Sequence, residues 1–264
     1  MKQIPSFVEL PIVPNIPEDV RPRIAADGRI VRLDEIEQLK ADAVFIGSIR
    51  QDEFNSLCPK LQTQHLVFAD LRVADVSALT RVSDLRHLSI TWSTKLSDIG
   101  PLAELTGLES LVLSDVKKVT DISPLAALSG LRALVYEGGI WNKQTAETLE
   151  PLTALTRLEE LQMTNLKVGQ GGLRPLARLQ SLRLMILPNQ FPTEEFAYLA
   201  AHLPHVECDL LAPAVQIDPG SFDGKDLMIT GSRKPFLNST TDAAKVQKYT
   251  EAFAAMVAKF QAEI

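Results

Sequence analysis

With 264 residues, 45% of them hydrophobic and 23% charged, the chain has the composition of a folded protein rather than a disordered one. Its net charge of −6 and pI near 5.3 lack the basic field that a nucleic acid or an anionic membrane would call for, and permit a basic partner. No run approaches 18 apolar residues, so no membrane span is expected.

Residues 1–33 are punctuated by Pro5, Pro11, Pro14, Pro17 and Pro22, a spacing that resists helix and favours extended backbone. The opening MKQIPSFVELPIVPNIPEDV holds no apolar run of seven residues and does not read as a secretory signal, so a cytoplasmic protein is expected. Residues 1–35 are read as an N-terminal cap, in preference to a free partner-binding arm. Asp27 and Gly28 mark a turn. IVRLDEIEQLK then gives a short strand and a short helix, and Ala43 to Ile49 the first strand of an array.

From there the chain repeats itself. Leu85, Leu88 and Ile90 recur as Leu108, Leu111 and Leu113 and as Leu131, Leu134 and Tyr136, at steps of 108 − 85 = 23 and 131 − 108 = 23. The leading leucines run Leu61, Leu85, Leu108, Leu131, Leu158, Leu182 and Leu203, at steps of 24, 23, 23, 27, 24 and 21. A period between 20 and 29 is the signature of a solenoid. Within each unit L-x-x-L-x-L places the fourth and sixth residues inward on a short strand. In this register Gln64 stands where a leucine belongs, so the unit at Leu61 reads as degenerate. Cys208 falls at a core position, and Cys58 lies too many units away to pair with it; both thiols are read as reduced.

The returns read DVSALTRV, DIGPLAEL, DISPLAAL, LEPLTAL and LRPLARL. Asp75, Asp98 and Asp121 precede short helical runs with Pro101 or Pro124 in the first turn, which is capping chemistry rather than metal binding. This D-I-S-P-L-A-x-L-x-x-L-x-x-L-x-L text resembles the internalin-type leucine-rich repeat of bacterial surface proteins, and the repeat of the phosphatase-regulating leucine-rich proteins. The resemblance covers roughly 61–211. It implies an α/β leucine-rich repeat solenoid, a curved parallel sheet with short helical returns, over 36–212. Without a secretion signal it does not carry over the surface-adhesin role. The asparagine such repeats place three residues after the third leucine is missing: Ser93, Val116, Gly139 and Leu166 stand there, with Asp115, Asn165 and Asn189 one residue earlier.

The 27-residue step holds the insertion EGGIWNKQTAETLE, in which Thr145 to Leu149 suggests a convex-side helix. Insertions in an array fall on one face and often bind; a tolerated surface loop is the equal alternative. The glycines of GQGG, 169–172, suggest a flexible turn. Thr193, Glu194 and Glu195 announce a capped α-helix through Leu203. Residues 213–264 read as a C-terminal α/β cap: two short strands around Gly231, then an amphipathic helix from Asp242 to Ile264.

No catalytic spacing, cofactor motif or metal-ligand set is expected; His202 and His205 are three apart with nothing to complete a site. What remains is a surface. The third and fifth residues of each strand point out of the concave sheet, which nominates Thr63, His65, His87, Ser89, Ser110, Val112, Ala133, Val135, Glu160, Gln162, His205 and Glu207. Phe68, Trp92, Asp115, Glu137 and Trp141 line a rim. Aromatic anchors among small polar residues suit a protein partner. The reading is a non-enzymatic, monomeric, bacterial protein-binding scaffold that uses its concave face and the 137–149 insertion. Its alternatives are an immunity or antitoxin-like inhibitor of a toxin, and an accessory domain with a site around Asp218–Lys234.

Overall fold

The computed structural model describes residues 22–263, so most of the 1–35 segment and the terminal Ile264 lie outside the described residues. β1 (Arg23–Ala26) and β2 (Arg29–Val31) form an antiparallel hairpin that turns at Asp27 and Gly28, both with left-handed φ, 46° and 77°. A 3-10 turn at Leu33–Glu35 and the two-residue β3 (Leu39–Lys40) lead to β4 (Ala43–Gly47). Helix α1 (Gln51–Leu57) follows, then β5 (Leu61–Gln62), which pairs with β3. Thereafter each unit opens with one strand: β6 (His65–Ala69), β7 (His87–Thr91), β8 (Ser110–Ser114) and β9 (Ala133–Glu137). The fifth and sixth units each carry a second strand, in the order β10 (Gln144–Thr148), β11 (Glu160–Gln162) and β12 (Leu166–Gln170), before β13 (Leu184–Ile186).

The main sheet runs β13-β11-β9-β8-β7-β6-β4-β1-β2 and is parallel except for the hairpin. By pairing Ile24 with Ile46, the hairpin closes an edge that a parallel stack would leave open. Alternation decides which side is core: Leu88, Ile90, Leu111, Leu113, Leu134 and Tyr136 are all 1% exposed or less. Five-residue 3-10 turns bring the chain back, each driving one leucine fully inward: Leu79, Leu102, Leu125, Leu152 and Leu176. Returns this short have no room for a full α-helix. Asp75, Asp98 and Asp121 accept the N–H groups of Ser77, Gly100 and Ser123 at 2.8, 2.7 and 2.8 Å, so their role is to order these turns. They act from one residue outside the N-cap, which is Val76, Ile99 or Ile122.

The strand ladder corrects the register at both ends of the array. His65 pairs with His87, so Thr63 and not Leu61 stands in the leading position, and Gln64 is an ordinary variable residue rather than a degenerate leucine. Thr63 is 2% exposed, its hydroxyl donating to Asp42 O at 2.9 Å, and does not face the concave side. Phe68 thereby becomes the inward sixth residue: it is fully buried, its ring 5.5 Å from that of Phe54, and is core rather than rim. At the far end Leu184 bridges to Glu207, again two residues beyond the register that Leu203 suggests. A slip of two keeps each side chain on its own face, which is why His65 still points as expected.

After β13 come α2 (Thr193–His202), then β14 (Ala214–Gln216), β15 (Leu227–Ile229) and β16 (Phe236–Leu237) in one antiparallel sheet, and α3 (Ala243–Gln261). Thr193 does not cap α2; its hydroxyl donates to Thr230 O at 2.9 Å. Asn189 donates to Ile229 O at 3.0 Å and accepts from Gly231 N at 2.6 Å, which ties the small sheet to the last repeat. Phe253 and Phe260 of α3 join the solenoid's own core.

Candidate protein-binding rim and concave face

Each repeat strand ends in a tight turn off the sheet. Ser48, Asp70, Trp92, Asp115 and Asn165 occupy this corner with φ between 44° and 58°, a left-handed conformation that short polar Asp and Asn tolerate best and that is rare for a residue as bulky as Trp92. Trp92 is thus presented at the rim, 63% exposed. Two units on, the insertion leaves from the equivalent corner at Gly138, about 10 Å away at the usual strand spacing. Gly138 must be glycine, because a Cβ there would lie 2.6 Å from Asn165 O and nearer still to Asn142 O. Gly139 packs on the Asp115 carboxylate in the same way. Asn165 holds the loop from below, donating to Gly139 O at 2.8 Å and Asn142 O at 3.1 Å. The loop is therefore pinned at its base while its tip carries Ile140 and Trp141, 89% and 91% exposed. Beyond the tip the chain forms strand β10 rather than a convex helix. Gln144 and Ala146 alternate inward there with Thr145 and Glu147 outward, a period of two.

Beneath the loop lies a device the sequence reading missed. In place of an asparagine, Gln144 is fully buried and its amide nitrogen donates within the turn, 2.7 Å from Val119 O and 2.8 Å from the Tyr136 hydroxyl, with Val116 O at 3.3 Å. The Tyr136 hydroxyl lies 2.7 Å from Val119 O and 2.8 Å from Thr145 O, and burial pushes its pKa well up. Two units earlier Ser93 does a smaller version of this work, donating to Leu71 O at 2.8 Å. The signal in sequence is a polar side chain at a position where its neighbours, Leu71, Val116 and Leu166, are apolar.

On the concave side His65, His87, Ser89, Val112, Glu160 and Gln162 are half-buried. Ser110 and Val135, at 5% exposure each, are floor rather than contact surface, which corrects their nomination. Small side chains on a concave sheet sit below larger neighbours; the His87 Nδ1 lies 2.8 Å from Ser110 Oγ. Glu137 is held by its own sheet, accepting from Ser114, Gln162 and Thr164 at 3.2, 2.9 and 2.6 Å. Along the opposite rim Arg86 pairs with Glu109 at 2.5 Å and Arg132 with Glu159 at 2.9 Å.

Among the described residues no group of three or more His, Cys, Asp or Glu side chains could hold a metal ion. No described helix is long and apolar enough to cross a membrane. His202 Nδ1 and His205 Nε2 face the carbonyls of Tyr198 and Gln180, at 2.9 and 3.2 Å. Cys58 and Cys208 are free thiols, pushed up to about 12 and about 11 by burial. In the C-terminal segment the carboxylates order the backbone: Asp218 accepts from Gly220 N, Asp226 from Ser239 N and Asp242 from Asn238 N, at 3.0, 2.7 and 3.1 Å.

The chain is a leucine-rich repeat solenoid. No protein-family model matches it, and no curated protein does. Among solved structures it is similar to internalin C2 of Listeria monocytogenes, at 20% identity over 70% of this chain and 76% of that one, with a TM-score of 0.47. A second internalin of that organism, InlF, is 18% identical over 70% of each chain, with a TM-score of 0.39. The ectodomain of the plant receptor kinase GASSHO1/SCHENGEN3 from Arabidopsis thaliana is 16% identical over 67% of this chain and 25% of that one, also at 0.39.

Proposed function

We propose that the chain is a non-enzymatic protein-binding scaffold whose partner seats on the rim carrying Trp92, Ile140 and Trp141 and reaches over the half-buried concave residues His87, Ser89, Glu160 and Gln162. One observation carries the reading. The protein has two tryptophans, and both are largely exposed at the same rim, the second beside an isoleucine that is 89% exposed. Large apolar side chains held in water by a pinned loop lose little conformational entropy on binding, and aromatic anchors dominate interface energetics. The cytoplasm is the compartment proposed, since two free thiols, Cys58 buried and Cys208 half-buried, suit a reducing environment.

The test is affinity capture from the native host with wild-type and Trp92→Ala/Trp141→Ala protein, followed by titration of any specific partner. Loss of two aromatic anchors is expected to weaken binding by roughly a thousandfold, since each anchor contributes about 2 kcal/mol. A partner bound equally tightly by both proteins would rule out the rim.

A further inference from the structure

The concave face holds two imidazoles stacked on each other. His65 of β6 and His87 of β7 are register partners; their ring centroids lie 4.3 Å apart and their planes differ by 10°. His65 Nδ1 faces Asp42 O at 3.2 Å, and a carbonyl oxygen can only accept, so this nitrogen carries the proton and the neutral ring leaves a lone pair on Nε2. His87 Nδ1 contacts the hydroxyl of Ser110. The charged groups nearby are Arg86 and Glu109, already paired with each other, Asp42 just before β4, and Asp27 of the β1–β2 turn, whose carboxylate accepts from Asp42 N and Ala43 N. The concave carboxylates are distant: Glu160 stands three strands from His87, about 14 Å, and Glu137 is two strands away at the other end of its strand.

We infer that His65 and His87 form a one-proton sensor: in mild acid the pair takes up a single proton and excludes the second. Two unit charges about 4 Å apart in a partly buried site repel enough to part their protonation steps by more than about one pH unit. Among the described residues Glu109 favours the charged His87 ring, but burial and the His65 charge outweigh it, and Arg86, its ion-pair partner, opposes it. Proton uptake changes the surface a partner meets. The N-terminal half of the concave face gains a positive charge, and His65 Nε2, once protonated, turns from acceptor to donor.

The test is an NMR titration of the imidazole Cε1–H resonances of the full chain, wild type and His65→Gln, with His202 and His205 as internal references. The wild-type pair is expected to titrate in two steps separated by about one pH unit or more, and the His87 midpoint to rise by about half a unit or more in His65→Gln. Both resonances completing one shared step in the wild type, or a His87 midpoint unmoved by the substitution, would overturn the inference. The wild-type titration decides alone if the variant does not fold.

Discussion

Units three and four, from Leu85 to Ser129, and unit five, from Leu131 to Ala154, solve the same problem with different chemistry. In the first two, leucine layers meet leucine layers at a constant 23-residue pitch and the inner wall needs only Ser93 to meet a spare carbonyl. Unit five is longer, and its extra residues form a loop that would strip the strand's end of packing. There Tyr136 and Gln144 enter the core and carry the backbone's hydrogen bonds, and Asn165 ties the loop down. Apolar repetition builds a scaffold, while a surface projection needs a polar anchor inside it. The exposed Ile140–Trp141 tip and the buried Gln144 are two ends of one device.

This contrast can be pressed in order of expected effect. Phe68→Ala should cost about 3–5 kcal/mol in urea unfolding, because the ladder register makes it core; a loss within about 0.5 kcal/mol would restore it to the rim. Gln144→Ala should cost about 2–4 kcal/mol, combining a cavity with the loss of the amide's hydrogen bonds to Val119 O and the Tyr136 hydroxyl. Tyr136→Phe, which removes only the hydroxyl, should cost about 1–2 kcal/mol, and Ser93→Ala about 1 kcal/mol. If Ser93→Ala costs as much as Gln144→Ala, unit five has no special anchor. Trp92→Ala and Trp141→Ala should each leave stability within about 0.5 kcal/mol, as befits side chains turned to water.

The C-terminal helix responds to acid instead. Asp242, the N-cap of α3, is held well below the usual carboxylate range by the Asn238 backbone N–H, then by Lys245 and Lys225. A depressed folded pKa stabilises above the unfolded value, near 3.9, and that contribution is lost as pH falls from about 4 toward the folded value. The helical CD signal of wild type should therefore decline in this window more steeply than that of Asp242→Asn, which lacks the titrating group; parallel curves would contradict the assignment.

The repeat from Leu85 to Tyr136 was fully legible, since period and alternation there agree unit by unit. The ends were not: Leu61 and Leu203 are real leucines that pack in the core, two residues before the position the strand ladder requires. Nothing local distinguishes them, because a slip of two preserves alternation and only pairing decides. Trp92 and Trp141 could be read as rim residues from spacing and from the insertion's length. The strand at Gln144–Thr148 could not, because TAETLE has helical composition and extends only by pairing with Leu166–Gln170. Ser110 and Val135 were placed on the right face, but exposure on a concave sheet depends on neighbours that no local pattern reveals.

A partner seated on the proposed rim can be captured there covalently. The most direct measurement places a photo-cross-linking amino acid at position 92, 141 or 104 in turn, with irradiation in the native host. One shared cross-linked partner is expected from 92 and 141 and none from 104, which lies in a convex return. A partner captured from 104 and from neither rim position would contradict the proposed rim.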